Sequence, residues 1–265
     1  MLLRSIKKNW EGIAGLRPAP GNKKHNFSNM KMKVEIWSDV MCPFCYIGKR
    51  RFETAMSKFS DAAGIELEWK SFQLDPTIES GHGKDLYQYL SERKGIPYEQ
   101  AVQMNAQVSS MAADAGITFN PANAVVANSF DAHRLIHLAK QNGLGDEAEE
   151  RLFKSYFTES KDFGDHSVLA QLGKEIGLDE TSVNETLSSD AFTADVNKDI
   201  DEAQTLGIRG VPFFVFDRKY AVSGAQASET FLEVLDKSFA EWRKVNPAGL
   251  EIIEGQVCTP DGECN

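Results

Sequence analysis

Two cysteines, Cys42 and Cys45, stand three positions apart, with Pro43 and Phe44 between them. A dithiol at that spacing can cycle between two thiols and a disulfide, or it can supply half of a zinc site. The local pattern bears on the choice. Val34, Ile36 and Val40, with Trp37 among them, read as a short buried strand, and Phe52, Ala55, Met56 and Phe59 then share one face of a 3.6-residue period. This predicts that Cys42 opens a helix at an exposed start and that Cys45 lies about one turn further in. First-turn peptide N–H groups lack intrahelical partners, and the aligned peptide dipoles place partial positive charge beside the sulfur. Such settings lower a cysteine pKa from about 8.5 into a range of roughly 3.5–7.5, so Cys42 is expected to be nucleophilic at neutral pH. Pro43 suits a first helical turn, where its missing N–H costs little and its fixed φ already matches the helix.

The elements that must hold this pair follow from the rest of the pattern. After the first helix, residues 65–74 alternate apolar with polar as a half-buried strand should, so the chain opens strand, helix, strand, an α/β unit. From about Asp85 to Leu187 helical periodicity dominates, broken at Gly95, Pro97, Gly116, Pro121, Gly143, Gly145 and Gly177, which predicts an inserted bundle of four to six helices. Its best-defined member is expected over Ala124–Gln141, with Val125, Phe130, Leu135 and Leu138 on one buried side and Asn142-Gly143 as its stop. The α/β character returns with a helix over Asn197–Leu206, a buried strand within Ile208–Phe216, a turn at 217–219 and a hairpin partner at Tyr220–Ser223. A last amphipathic helix is expected from Ala227 or Ser228 to Trp242.

The chain has 265 residues, enough to bury a core without staples. Its formal net charge of −10 and lack of a basic run argue against a nucleic-acid partner. Four cysteines in two close pairs are too few for a disulfide framework, and neither an 18-residue apolar run nor a secretory leader is evident, so a cytoplasmic location is expected. In a reducing compartment a C-x-x-C is more often catalytic than structural. Residues 1–31 carry Arg4, Lys7, Lys8, Arg17, Lys23, Lys24 and Lys31 with little apolar periodicity; an extension from an upstream start fits them better than a targeting peptide, given Glu11 and the lack of a Ser-rich amphipathic pattern.

Three segments together resemble the DsbA family, and within it the FrnE-type branch: Asp39 to Cys45, Asn128 to Leu135, and Gly207 to Val215 with its Gly-Val-Pro212. The resemblance covers about Met32–Trp242. It implies an α/β thioredoxin fold with an inserted all-helical domain: residues 32–84 and 190–245 as the thioredoxin-like domain, 85–189 as the insertion, 1–31 as a poorly ordered extension and 246–265 as a flexible tail. It implies a thiol:disulfide oxidoreductase or isomerase, with Cys42 as nucleophile, Cys45 as resolving thiol and Pro212 as a cis-proline facing them. Its partners would be protein or peptide thiols and disulfides, with glutathione admitted as co-substrate. The redox-active disulfide takes the place of a dissociable cofactor, and no metal or membrane is expected. The family's strong periplasmic oxidants carry a histidine between their cysteines, whereas Phe44 offers neither charge nor donor, which implies a less oxidising couple. A second reading is a glutathione-dependent isomerase or transferase of the kappa type, resembling 2-hydroxychromene-2-carboxylate isomerase; such enzymes usually keep a serine where Cys42 stands.

Other candidate groups are less specific. Cys258 and Cys264 flank Pro260 and Gly262 in a turn that could close a disulfide, as an auxiliary dithiol exchanging with Cys42 and Cys45 or as a passive pair of solvent thiols; FrnE-like proteins often carry such a tail pair. A zinc site joining both pairs, or a zinc-dependent interaction module, is the weaker alternative. His133 and His137 have metal-ligand spacing but no evident third ligand, so helix packing or lining of the cleft is expected. Arg134 suits an anionic group or, more commonly, a nearby acid. Lys49, Arg50 and Arg51 read as a solvated face.

Overall fold

The computed structural model describes residues 30–79 and 85–247. Lys31–Val245 form one compact unit. Cys258, Cys264 and most of the leader and tail lie outside the described residues. A four-stranded mixed sheet has the order β2-β1-β3-β4, from β1 (Met32–Ser38), β2 (Ile65–Ser71), β3 (Phe213–Phe216) and β4 (Tyr220–Ser223). β1 and β2 run parallel, with Ile36 opposite Trp69; β3 runs antiparallel to both β1 and β4.

β1 is buried on both faces because helices cover both. Met32, Val34 and Ile36 pack with Phe52 of α1 (Pro43–Lys58) and with Phe231 and Leu235 of α9 (Ser228–Val245) in the main core. Trp37 points the other way, into a small cluster with Ala203 of α8 (Thr193–Thr205), Ile208 and Val215, and its indole N–H donates to the Asp199 carbonyl at 3.0 Å. A continuous apolar run on a central strand is what such two-sided burial requires.

Between β2 and β3 lie α2 (Leu86–Lys94), α3 (Tyr98–Asp114), α4 (Phe130–Gln141), α5 (Gly145–Phe153), α6 (His166–Glu175), α7 (Glu180–Ser188) and α8. A single π-helical turn, Lys154–Thr158, extends α5. Tyr46 of α1 stacks on Phe153 at 5.0 Å and on Phe119 at 6.4 Å, joining the dithiol helix to this helical layer.

The helix expected over Asn197–Leu206 begins earlier, at Thr193, and the last helix runs on to Val245. Three further boundaries, nearer the dithiol, also differ from the sequence reading. The helix expected from Ala124 begins at Phe130, because the Asn128 side-chain oxygen Oδ1 accepts the Phe130 N–H at 2.9 Å while its side-chain amide donates to the Ile78 carbonyl. Val125, instead of sharing a helical face, pairs with Asp85 in an isolated bridge. β2 stops at Ser71, since the Leu74 N–H is taken by the Asp39 carboxylate at 2.7 Å. β3 starts only at Phe213: Gly207 turns the chain at φ 72°, and Pro212 has no N–H to give a ladder.

Candidate active site

β1 delivers the chain to the site. Beyond Ser38 a tight turn forms, with the Asp39 carbonyl accepting the Cys42 N–H at 2.9 Å, and Cys42 takes the N-cap position at φ −89°, ψ 112° with Pro43 opening the helix. The Cys45 N–H donates to the Cys42 carbonyl at 3.0 Å and so begins the helical ladder. Both thiols are free. The expectation of an exposed helix start holds only for Phe44, which is 39% exposed. Cys42 is 3% exposed and Cys45 1%, because the loop before β3 and the helical layer close over them.

That loop carries Pro212, whose peptide bond to Val211 is cis. The Cys42 thiol donates to the Val211 carbonyl at 3.6 Å, so the loop and the dithiol meet across 169 positions of sequence. Gly48 makes the approach feasible: a Cβ there would stand 3.0 Å from the Pro212 ring.

Beneath the pair is a buried polar cluster. The Asp39 carboxylate, fully buried, accepts the Leu74 and Met41 N–H groups and lies 3.6 Å from His133 Nε2. His133 of α4 also bonds the Phe72 carbonyl at 2.9 Å; burial works against its charge, but the Asp39 carboxylate holds its pKa above the ordinary value. Ser38 donates to Glu149 of α5, and burial pushes the Glu149 carboxyl up to about 7 against the pull of Ser38, His133 and Lys49. Burial also pushes the Cys45 thiol well up, reinforced by the Cys42 thiol beside it, while the nearby Asp39 backbone and Ser38 hydroxyl pull the other way.

A cavity of about 440 Å³ opens beside Cys42, walled by Met41, Leu86, Val108, Phe157 and Val211. Phe44, Leu74 and Met104, three of the large apolar side chains that remain more than a third exposed, also line it. The site therefore couples a thiol to an apolar surface.

The remaining candidates fall elsewhere. His133 lies beneath the dithiol. His137 lies between Ser71 and Asp199, with its Nε2 3.2 Å and 3.1 Å from them. Arg134 pairs with Asp131 and donates to the carbonyls of Thr186, Ser189 and Ala191, which places it on the end of α7. Lys49 is not part of a solvated face. It is 3% exposed and is held by Glu53, Asp146 and Glu150, because α5 packs over this side of α1. Arg50 joins Glu53 and Glu150, and Arg51 donates to the Ala225 carbonyl at 2.6 Å. Among the described residues no group of three His, Cys, Asp or Glu side chains is placed to hold a metal ion, and no helix is long and apolar enough to cross a membrane. Sequence reasoning did not single out Ser38 or Glu149. The available signal was a glutamate sharing a helical face with Leu152 and Phe153, where a buried α5 face was due.

The model of the DSBA-like thioredoxin domain matches residues 33–236. A probable DsbA oxidoreductase of Streptomyces coelicolor is similar in structure, with a TM-score of 0.76 and 36% identity over 88% of this chain and 98% of that one. The uncharacterized protein YwbO of Bacillus subtilis is 27% identical over 204 residues, 76% of this chain and 94% of its own. The cytosolic disulfide reductase DsbM of Pseudomonas aeruginosa shares the fold at 17% identity, with a TM-score of 0.53 over 80% of this chain and 98% of that one.

Proposed function

We propose, from the premise that this chain belongs to the DsbA-like thioredoxin domain family, that it exchanges disulfides with protein or peptide cysteines in the cytoplasm through Cys42 and Cys45. The observation that carries this reading is the position of Cys42, the N-cap residue of a helix, whose thiol touches the Val211 carbonyl beside Pro212 and opens onto an apolar cavity. Cys42 is the group that meets substrate. Cys45 is deeper, and its raised thiol pKa keeps it protonated while Cys42 reacts.

In the reducing direction the Cys42 thiolate attacks a substrate disulfide, forms a mixed disulfide and releases one substrate thiolate. Cys45, deprotonated, then attacks the Cys42 sulfur, closes the Cys42–Cys45 disulfide and releases the second thiolate. The oxidising direction is the reverse. An extended substrate segment can align by backbone hydrogen bonds to Val211, with apolar side chains against Phe44, Leu74 and Met104. Phe44 supplies no donor to the thiolate, which favours reductase or isomerase work over strong oxidation.

The test is a trap. In Cys45→Ala the mixed disulfide cannot be resolved, and mass spectrometry is expected to find protein or peptide adducts on Cys42 that dithiothreitol releases. Recovery of glutathione alone, together with small-molecule isomerase turnover in Cys42→Ser, would instead establish the kappa-type activity.

A further inference from the structure

Val211 borders two hollows. One is the apolar cavity beside Cys42; the other, of about 390 Å³, is walled by Arg209, Gly210, Pro212, Phe213, Ser223 and Gly224 as well as by Val211 itself. Their chemistry differs. The first is bounded mainly by large apolar side chains, whereas the second is largely glycine backbone, tied together where the Gly224 N–H donates to the Pro212 carbonyl at 2.8 Å, with one cation beside it. That cation, Arg209, is exposed. Every other arginine among the described residues is engaged by a carboxylate, a carbonyl or an aromatic ring; Arg209 alone makes no ion pair, hydrogen bond or ring contact among them. It is left so in a chain of net charge −10, where carboxylates are plentiful. Gly210 adds a second signal. Its φ lies outside the left-handed region, and a Cβ there would meet no atom within 4 Å, so neither conformation nor packing demands a glycine. A bare position of this kind suits the close approach of another backbone.

We propose that Arg209 is a specificity residue for disulfide exchange, pairing with the carboxylate of an acidic side chain close to the reacting cysteine of a peptide or protein substrate. This rests on the reading of Cys42 and Cys45 as the redox pair. The Cys42 thiol touches the Val211 carbonyl at 3.6 Å, so a segment whose cysteine reaches Cys42 passes Val211 and meets both hollows there. Apolar side chains of the segment fall towards Phe44, Leu74 and Met104. On the other side Gly210 lets its backbone come close, and Arg209 stands two positions before Val211. An extended segment advances about 3.3 Å per residue, which brings a side chain about two residues from the reacting cysteine within reach of the guanidinium. A guanidinium presents a planar fork that a carboxylate meets with two parallel hydrogen bonds. Arg209 makes and breaks no bond to sulfur. It acts on which disulfide is captured, not on the thiol chemistry that follows.

Symmetrical peptide disulfides test the assignment. Each strand is a short peptide with a single cysteine, apolar neighbours, and Glu, Gln or Lys two positions away on both flanks. Reduced full-length protein converts the disulfide to two peptide thiols while Cys42 and Cys45 close to a disulfide, and chromatography follows the second-order rate. Charge on a peptide also alters its own thiol, so the quantity read is the Glu-to-Gln rate ratio in wild type divided by the same ratio in Arg209→Gln. It is expected to be about three- to tenfold at low ionic strength and to shrink towards one as salt approaches about 1 M. Arg209→Glu is expected to invert the preference in favour of the Lys peptide. Lys174→Gln, which removes a cation paired with Glu180 in the helical layer, is expected to keep the wild-type ratio. A ratio unchanged in Arg209→Gln, or lost instead in Lys94→Gln, whose lysine lines the apolar cavity, would overturn the assignment while leaving the redox pair intact. So would a dependence on Arg209 shown by oxidised glutathione alone, since the carboxylate read would then be that of glutathione. Failure of wild type to reduce any of the peptides would remove the redox pair itself, and the specificity residue with it.

Discussion

Two clusters of buried charge adjoin the paired strands β1 and β2, one reached through Ser38 and the other through Lys70 and Ser71, and they are built for opposite purposes. Between β2 and α8, Lys70 is 9% exposed and meets Asp199, Glu68 and Glu202 within 3.2 Å, while Arg218 joins Glu35 and Glu202. Burial opposes the charge on Asp199, but His137, the Ser71 N–H, Lys140 and Lys70 outweigh it and bring its pKa down to about 2. Beneath the dithiol the balance is reversed, and burial leaves Glu149 near neutrality at about 7. A buried carboxylate surrounded by cations is locked in one protonation state and serves as a strut. One that is left short of cations can gain and lose a proton at physiological pH.

The contrast can be broken first at the strut. Asp199→Ala leaves Lys70 with Glu68 and Glu202 but takes away the acceptor of the buried Ser71 N–H and the partner of His137, and is expected to cost about 3 kcal/mol in urea unfolding, with the reactivity of Cys42 in the folded fraction unchanged. The folded-state pKa of Asp199 lies below the ordinary value, so its stabilisation is present above about pH 4 and is lost as the pH falls through about 2. The difference between wild type and variant should therefore vanish in strong acid. Next comes the close approach that assembles the site. Gly48→Ala puts a methyl 3.0 Å from the Pro212 ring and is expected to cost about 1–3 kcal/mol by thermal unfolding. Unlike Asp199→Ala, it should also slow disulfide exchange.

A smaller change sharpens the redox side. Phe44→His places a donor beside the thiol and is expected to raise the reduction potential in glutathione buffers by about 30 mV, equivalent to about 1.4 kcal/mol. The last test bears on stability alone. The pKa of Glu149 is raised on folding, so its ionised form destabilises the protein at neutral and higher pH, and protonation relieves this as the pH falls from about 7 towards the ordinary carboxylate range. Glu149→Gln should accordingly melt a few degrees above wild type at about pH 8, with the gain gone by about pH 5. The sign is opposite to that of Asp199→Ala. Equal signs would mean that both carboxylates are struts.

Much of the architecture was legible in residue order because local patterns report local structure. The strand before Cys42, the helix after it, the hairpin at Tyr220 and the run of helices between them all follow from the period of apolar residues and from Gly and Pro stops. The errors occurred where a side chain from elsewhere competed with the local pattern: Asn128 delaying α4, and Asp39 taking the Leu74 N–H. Lys49 looked like one member of a basic surface run, and α5 made it buried.

The sequence by itself determined the dithiol, its place at the end of a strand and the start of a helix, and the Gly-Val-Pro212 segment that pointed to the family, since each lies within a few consecutive residues. Tertiary structure decided what surrounds that dithiol. The Val211 carbonyl at Cys42 and the bond from Ser38 to the buried Glu149 join positions more than 100 residues apart, and the apolar cavity at the mouth of Cys42 is walled from several elements. The protonation state of a buried acid depends on how many charges the fold brings around it, and no local period encodes that number.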